Sequence, residues 1–320
     1  MKIAILDDYA GAALRLADWD RLGADITVFS DTVTDHDALA DRLAPFDVVC
    51  LMRERTGFPA ALVDALPNLK LIVTSGPKNA AIDVAAAAAR GIPVSGTQSR
   101  KTTTSELSML MILALNRRLI PEVGHMATHG WQQGLGRDLA GLTLGLIGLG
   151  NIGAQMAALG RAFGMDVIAW SQNLTEARAA EVGARRIDSL PALMAQADAA
   201  SVHLVLSDRS RGLVGAKAFA AAKLGQTFVN TSRGPIVDTA ALLDCLRNKP
   251  TNAAGLDVYD IEPLPMDHPL RDAALTREGR LLLAPHLGYS TEATFKVFYE
   301  QTVEAIEAWI AGSPIRLLGA

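Results

Sequence analysis

The sequence predicts an α/β protein that consists of two doubly wound parallel-sheet domains, one inserted in the chain of the other. Short aliphatic and β-branched runs alternate with amphipathic or alanine-rich segments through the first hundred residues. The same alternation begins again at Leu142 and continues to about His286. Strands that alternate with helices in this way form parallel sheets with helices on both faces.

The first domain is predicted to contribute five strands and the helices between them. Helical patterns occupy residues 35–43 and 82–89, and Pro67 and Gly91 lie where one segment changes to the next. The predicted strands are residues 2–6, 25–29, 47–51, 69–74 and 92–95.

The second domain is predicted to begin with a helix at residues 102–119, which starts with Thr and Ser and has two arginines near its end. A final amphipathic helix from Thr291 to near Gly312 is expected to return to the first domain. The predicted domains are therefore residues 1–99 with 288–320, and residues 100–287. The predicted strands of the second domain are residues 143–147, 166–170, 199–205, 227–230, 253–257 and 281–284.

The composition is that of a globular protein and excludes several classes of partner. The chain has 320 residues, 50% of them hydrophobic, and a net charge of −4. Because this charge provides no basic face, we expect no nucleic-acid partner. No uncharged apolar stretch approaches the roughly 20 residues of a membrane span, so no membrane partner is expected. Cys50 and Cys245 fit no zinc or CxxC spacing, which favours a reducing, cytoplasmic location and no metal site.

A glycine-rich loop follows the first predicted strand of the second domain and leads into a helical pattern. There Gly148 would permit a tight turn, Gly150 would let a pyrophosphate approach the backbone, and Gly153 would let the helix pack on the strand. The first N–H groups of the helix would bind phosphate oxygens. We therefore predict a dinucleotide site, with a ligand-free turn as the alternative. The loop reads Gly148-Leu149-Gly150-Asn151-Ile152-Gly153, and Asn151 and Ile152 are included in the predicted contacts.

The position that would contact the adenosine ribose lacks an acidic residue. An NAD site typically has Asp or Glu about 20 residues after the loop. Ser171 occupies that place here, and Gln172 and Asn173 follow it. Without a carboxylate a 2′-phosphate is not repelled, and the nearest cation after Ser171 along the chain is Arg178. The prediction is accordingly NAD or NADP, with these three polar residues at the ribose.

Three later strand ends each carry one ionisable group: Arg233, Glu262 and His286. The carboxyl ends of parallel strands meet at one edge, so these groups are expected beside the glycine loop. Arginine can bind a carboxylate with two donors, histidine can exchange a proton near neutral pH, and glutamate can orient the ring. The three residues are therefore predicted to catalyse carbonyl reduction with hydride from a nicotinamide.

The chain resembles the D-isomer-specific 2-hydroxyacid dehydrogenase family over essentially its whole length. The glycine loop, the Asn-Thr-Ser-Arg-Gly run, the Leu-Asp-Val run with its Glu-Pro, and the Pro-His-x-Gly run occur in the family's order. This resemblance implies a Rossmann NAD(P)-binding domain inserted in a flavodoxin-like substrate domain. It also implies a homodimer built through the cofactor domain. The implied reaction interconverts 2-keto acids and D-2-hydroxy acids, with glyoxylate and hydroxypyruvate as the first candidates.

The resemblance also implies roles for individual residues besides the catalytic three. Asp257 would bind the nicotinamide carboxamide, and His203 would lie near the adenosine side of the cofactor. Thr231 is included among the predicted cofactor contacts. The backbone N–H groups of the loop that contains Ser75 and Gly76 would bind the substrate carboxylate.

Two cations follow strand ends in the first domain, Arg53 and Lys78. One of them is predicted to contact a second anionic group of the substrate, which would favour a dicarboxylate or a phosphorylated acid. A solvated surface position is the alternative for both. The family often has an acidic or amide residue after the glycine of this loop, where this chain has Pro77.

Two other functions share part of this pattern. A non-catalytic dinucleotide sensor or corepressor-like module would use the same fold, but it would not need a proton donor. A methyltransferase also has a glycine loop after a strand, but it does not account for the three later motifs. Oxidation or reduction of a nicotinamide in the presence of a keto acid distinguishes the predicted enzyme from both.

Overall fold

The computed structural model describes residues 1–319, which divide into two compact units. The first unit comprises Met1–Arg100 and the segment from Ser290 onward, and the second comprises Lys101–Tyr289. The boundaries expected from the sequence, after residues 99 and 287, differ from these by one residue and by two.

The first unit contains a five-stranded parallel sheet in the order β2-β1-β3-β4-β5. This order is that of flavodoxin-like folds, in which the strand order reverses beside β1. The strands are β1 (Lys2–Ile5), β2 (Asp25–Val28), β3 (Val48–Leu51), β4 (Leu71–Thr74) and β5 (Val94–Gly96). The helices are α1 (Ala13–Leu16), α2 (His36–Leu43), α3 (Ala60–Ala65), α4 (Val84–Ala89) and α13 (Glu292–Ile310).

Helices on both faces bury the central strands of this sheet. Strands β3 and β4 are buried along their whole length, as expected for parallel strands covered on both sides. Helix α13 packs against β4 and buries Phe295, Phe298 and Tyr299. The final helix therefore returns to the first sheet, as the sequence predicted.

The second unit contains a seven-stranded parallel sheet in the order β8-β7-β6-β9-β10-β11-β12. The order reverses between β6 and β9, which is the Rossmann arrangement with one further strand at the edge. The predicted fold class is thus confirmed. The strands are β6 (Thr143–Ile147), β7 (Asp166–Trp170), β8 (Arg185–Arg186), β9 (Ala199–Val202), β10 (Thr227–Asn230), β11 (Ala253–Leu256) and β12 (Leu281–Leu283).

Helices cover both faces of the second sheet and form a separate apolar core on each. Met111, Leu144 and Met156 belong to one core, and Leu193 and Phe219 to the other. The helices are α5 (Thr103–Asn116), α6 (Leu119–Ala127), α7 (Asn151–Ala162), α8 (Glu176–Glu181), α9 (Leu190–Gln196), α10 (Ala216–Ala221), α11 (Thr239–Asn248) and α12 (Ala273–Arg277).

The single helix predicted at residues 102–119 is wrong at its carboxyl end. Helix α5 ends at Asn116, and Arg118 has a φ of 52°, which no α-helix residue adopts. A second helix, α6, then begins at Leu119 and buries none of its side chains. In the described part of the chain, no helix has both the length and the apolar character needed to cross a membrane.

Candidate active site

The three glycines of the loop after β6 have two different roles. A side chain at the first or the last would clash with the backbone, whereas the middle one borders open space. Gly148 has a φ of 105°, and a Cβ there would lie 2.6 Å from the carbonyl oxygen of His203. A Cβ on Gly153 would lie 2.2 Å from the carbonyl oxygen of Gly148. A Cβ on Gly150, in contrast, would meet nothing within 4 Å. Gly150 therefore borders a space that a side chain would fill and a ligand could enter.

That space lies at the N-terminus of α7. The helix is 12 residues long, and its N-cap is Gly150, which has no side chain to cap the first N–H groups. Uncapped N–H groups and the helix dipole together bind anions. The residues of this loop thus fit the pyrophosphate of a dinucleotide, and Gly150, Asn151 and Ile152 would hold it.

His203 follows β9, the strand on the other side of the point where the sheet order reverses. Its backbone N–H donates to the carbonyl oxygen of Ile147 at 2.8 Å, which brings it beside the glycine loop. Its Nε2 is shielded from solvent and has no hydrogen-bond partner in the described residues. Burial lowers the pKa of His203 to about 3, so the ring is neutral at physiological pH. A neutral imidazole whose Nε2 has no hydrogen-bond partner in the described residues is suited to contact a ligand. That this ligand is the adenosine part of the cofactor stays a prediction.

A buried asparagine shapes the turn that carries Arg233. The Asn230 side chain accepts from the backbone N–H of Ser232 and donates to the backbone oxygen of Arg233, both at 3.0 Å. The Arg233 guanidinium donates to the Ser232 oxygen at 2.8 Å. Thr231 Oγ1 lies 2.7 Å from Ser108 Oγ, so this predicted cofactor contact already has a protein partner. Asn230 thus orders the turn, a role that its place in the Asn-Thr-Ser-Arg-Gly run does not reveal.

Gly234 connects the Arg233 turn to the loop that carries Glu262. A Cβ on Gly234 would lie 2.0 Å from the carbonyl carbon of Tyr259 and 2.5 Å from the backbone nitrogen of Asp260. Real Cβ atoms do not approach backbone so closely, so only glycine allows these two loops to touch. This role of Gly234 could not be predicted from the sequence, because Tyr259 and Asp260 are 25 and 26 residues away along the chain.

Glu262 and His286 are in direct contact, as the sequence predicted. Glu262 Oε2 lies 2.6 Å from His286 Nδ1, and Glu262 Oε1 accepts from the backbone N–H of Tyr259 at 2.9 Å. Both side chains remain partly exposed, at 24% and 18%. The Tyr289 ring packs edge-on against the imidazole, with 5.3 Å between centroids. Since Nδ1 is bonded to the carboxylate, Nε2 is the nitrogen available to a substrate.

The loop that follows His286 is held by Asp257, which is fully buried at the end of β11. Its two carboxylate oxygens accept from the backbone N–H groups of Leu287 at 2.6 Å and Gly288 at 2.8 Å. His286 itself has a φ of 55°, so this anchor keeps a strained residue in place. Burial raises the pKa of Asp257 to about 6, although the two backbone bonds and His286 oppose the shift. The predicted bond to a nicotinamide carboxamide would require a further lone pair of this carboxylate and stays a prediction.

The raised pKa of Asp257 predicts a loss of stability as the pH rises from about 4 to about 6. The folded protein keeps this proton to about pH 6, whereas the unfolded chain releases it near the ordinary value of 3.8. Ionisation in this interval therefore favours the unfolded chain. Asp257→Asn cannot ionise, so its free energy of unfolding should not show this pH-dependent loss. In the parent protein the loss is on the order of 2–3 kcal/mol. Urea unfolding of both proteins between pH 4 and 7 measures it, and parallel stability curves would contradict the assignment.

In the first unit, the four predicted substrate residues follow β3 and β4. The Arg53 backbone N–H donates to Ser75 Oγ at 2.9 Å. The Arg53 guanidinium occupies the space beside Gly76, whose added Cβ would lie 2.0 Å from it. Lys78 is exposed. The structure thus brings Arg53, Ser75 and Gly76 together.

The role predicted for the backbone of this loop needs correction. The Ser75 N–H donates to the Leu51 oxygen at 3.0 Å, and the Gly76 N–H donates to Thr97 Oγ1 at 2.8 Å. Both donors therefore serve the fold, because tertiary neighbours that the local sequence does not reveal accept from them. Since Pro77 has no N–H, the backbone donors of this loop resume only at Lys78. The Arg53 guanidinium, whose Nε lies 3.8 Å from Glu54 Oε2, is the cation that borders the loop.

The fold and this arrangement define a dinucleotide-binding protein with an acid–base pair at the same sheet edge as its glycine loop. Residues 109–288 match the D-isomer specific 2-hydroxyacid dehydrogenase, NAD binding domain. The chain belongs to this family, as its motifs predicted.

Named relatives of the chain include both curated sequences and solved structures. D-3-phosphoglycerate dehydrogenase of Mycobacterium leprae is 33% identical over 91% of this chain and 52% of its own length. Glyoxylate reductase of Aeropyrum pernix is 36% identical over 73% of this chain and 71% of its own. The crystal structure of phosphoglycerate oxidoreductase from Vibrio cholerae o395 has a TM-score of 0.92 at 37% identity, covering 98% of this chain and all of that one. The chain spans about half the length of the curated D-3-phosphoglycerate dehydrogenases that it matches.

Proposed function

We propose that the chain is an NAD(P)-dependent oxidoreductase that interconverts a small 2-keto acid and the corresponding D-2-hydroxy acid. The observation that supports this most strongly is the 2.6 Å contact between His286 Nδ1 and Glu262 Oε2. This pair follows β11 and β12, at the same sheet edge as the glycine loop. A dinucleotide sensor has no use for an oriented proton donor at that edge.

In the proposed reaction His286 transfers the proton. Bound NAD(P)H supplies the hydride that reduces the carbonyl carbon. His286 donates a proton from Nε2 to the carbonyl oxygen as the alcohol forms, and it accepts that proton in the reverse direction. Glu262 holds Nδ1, which orients the ring and leaves Nε2 available to the substrate.

Arg233 is proposed to bind the substrate carboxylate. Its planar guanidinium can donate two parallel hydrogen bonds to a carboxylate, and its charge also polarises the neighbouring carbonyl. The bonds from Asn230 and the contact of Gly234 with the Glu262 loop fix its backbone relative to the proton donor. Substrate binding and proton transfer would thus be aligned by one set of contacts.

Replacing Glu262 by glutamine should lower kcat for keto-acid reduction by about tenfold or more. An amide can turn either its oxygen or its NH2 group toward Nδ1, so the ring is no longer held in the one orientation that leaves Nε2 to the substrate. Steady-state kinetics at neutral pH measure the loss. Glu278→Gln, which changes an exposed glutamate paired with Arg280, serves as the control. A kcat equal to that of the parent would contradict the pairing.

The substrate is proposed to be a short 2-keto acid, with glyoxylate and hydroxypyruvate as the first candidates. Several curated relatives are D-3-phosphoglycerate dehydrogenases, so a phosphorylated hydroxy acid is the second candidate. The deciding experiment measures glyoxylate, hydroxypyruvate, pyruvate and oxaloacetate against NADH and NADPH, and D-3-phosphoglycerate in the oxidative direction. If no acid turns over although a nicotinamide dinucleotide binds, the non-catalytic sensor is the better interpretation.

Lys78 and Arg53 are the residues proposed to distinguish among these acids. Arg53 is held beside Gly76, whereas Lys78 is exposed and can move toward a second anionic group. The same matrix of acids measured with Lys78→Met tests this. A selective loss for oxaloacetate or D-3-phosphoglycerate supports the contact, and an unchanged ranking leaves Lys78 as a solvated surface residue.

We also propose that the protein is a homodimer that associates through α6. This helix has no buried side chain, and its apolar residues Leu119, Ile120, Val123 and Met126 are 47–58% exposed. A groove of about 480 Å³ beside it is lined in part by Trp131 and Leu135. Contiguous exposed apolar surface of this kind is typical of protein–protein interfaces.

Val123→Glu should convert such a dimer to monomers, because it introduces a charge where apolar surface would be buried. Light scattering coupled to size exclusion measures the mass directly. Leu224→Glu changes an equally apolar residue, 73% exposed but far along the chain from α6, and should leave the mass unchanged. A parent protein of 33.9 kDa in solution would refute the dimer.

A cytoplasmic location is proposed from the two cysteines. Both Cys50 and Cys245 are free, and Cys50 is buried. Burial raises the pKa of the Cys50 thiol, which keeps it protonated and unreactive. Unpaired cysteines are usual in reducing compartments.

A further inference from the structure

The end of β7 lacks the carboxylate that selects NAD. In Rossmann folds the residue at this strand end lies against the adenosine ribose. Ser171 is the first residue after β7, and it is followed by two amides, Gln172 and Asn173. A phosphate on the 2′-oxygen would therefore meet no like charge from these three side chains.

The loop after β9 brings a cation to this strand end. Gln172 Nε2 donates to the backbone oxygen of Arg209 at 3.0 Å, and the Arg209 guanidinium donates to Asn173 Oδ1 at 3.4 Å. The backbone and the side chain of Arg209 are thus both tied to the segment after β7. The sequence did not reveal this arginine, because 36 residues separate it from Asn173.

Two arginines that are closer along the chain are engaged by acids. Arg178, which the sequence suggested as the nearest cation, pairs with Glu181 at 2.8 Å. Arg186 pairs with Asp188 at 2.7 Å. Arg209, in contrast, donates to the neutral amide of Asn173, which does not compensate its charge. A positive charge therefore remains beside the residues that follow β7.

We propose that Arg209, together with Ser171 and Asn173, binds the 2′-phosphate of NADP(H) and makes it the preferred form of the cofactor. The planar guanidinium suits a phosphate, to which it can donate two hydrogen bonds. The Ser171 hydroxyl and the Asn173 amide add neutral donors. This inference rests on one part of the proposed function, namely that the second unit binds a nicotinamide dinucleotide.

The test compares two nucleotides that differ only by the phosphate in question. Isothermal titration of the full chain with 2′,5′-ADP and with 5′-AMP needs no substrate and no turnover. The parent should bind 2′,5′-ADP at least about tenfold more tightly, as expected for one charge-assisted contact. Arg209→Met should remove most of that advantage and leave 5′-AMP binding within about twofold. Ser171→Asp should also weaken 2′,5′-ADP binding, by repulsion.

Arg178→Met is the matched control, because Arg178 lies nearer to Ser171 in sequence but is paired with Glu181. It should leave both affinities unchanged. The proposal is overturned if the parent binds the two nucleotides equally, if Arg209→Met has no effect, or if Arg178→Met causes the same loss.

Titration of NADH and NADPH fluorescence separates this inference from the proposed function. If NADH binds but the 2′-phosphate adds no affinity, only the assignment of Arg209 is wrong. If neither dinucleotide binds, the cofactor site itself is refuted and the inference with it. If NADPH binds through Arg209 but no keto acid is reduced, the assignment of Arg209 is supported and the proposed reaction fails.

Discussion

Replacing His286 by alanine should lower kcat for keto-acid reduction by roughly 10²–10⁴-fold and leave NAD(P)H binding nearly unchanged. The variant loses the proton donor, and Glu262 cannot replace it because it lies at Nδ1, on the side of the ring away from the nitrogen assigned to the substrate. Steady-state kinetics and fluorescence titration of the cofactor together separate these two effects.

His36→Ala is a suitable control for this experiment. His36 is exposed and lies beside Asp37 on α2, where the same chemical change should have no kinetic effect. A His286→Ala enzyme that retains turnover within tenfold of the parent would eliminate this residue as the proton donor.

Gly234→Ala should lower kcat/KM by about 10²-fold or more and destabilise the protein by about 1–3 kcal/mol. The added methyl group would lie 2.0 Å from backbone atoms of Tyr259, and no rotamer change can relieve a clash with backbone. Either the Arg233 turn or the Glu262 loop must then move, and the two catalytic groups lose their alignment. Kinetics and urea unfolding measure the two effects.

Gly57→Ala provides the matched comparison for this substitution. A Cβ at Gly57 would meet nothing within 4 Å, so the same chemical change there should be nearly silent. Parent-like kinetics for Gly234→Ala would mean that the contact between the two loops does not align the site.

Features that depend on local sequence could be predicted well. The eleven strands that were predicted are short apolar runs bounded by turn residues, and each is three to five residues long in the structure. The two-residue strand β8 was missed, because Arg185 and Arg186 are too few to show an alternation. The three glycines of the loop were also interpretable, since their spacing between a strand and a helix is a local pattern.

Features that depend on distant contacts could not be predicted. The break between α5 and α6 follows from the positive φ of Arg118, a residue that composition alone assigns to a helix. The N–H groups of Ser75 and Gly76 bond to Leu51 and Thr97, which only the folded sheet brings near. The hydrogen-bond partners of the substrate loop therefore could not be predicted from its own sequence.

The contact of Glu262 with His286 has a consequence for the direction of the reaction. A carboxylate at Nδ1 keeps a hydrogen on that nitrogen whether the ring is charged or neutral. The neutral ring is thereby restricted to one tautomer, whose lone pair is on Nε2. The same atom would release the proton to a ketone and recover it from an alcohol, so the imidazole needs neither rotation nor tautomer exchange between the forward and reverse turnovers.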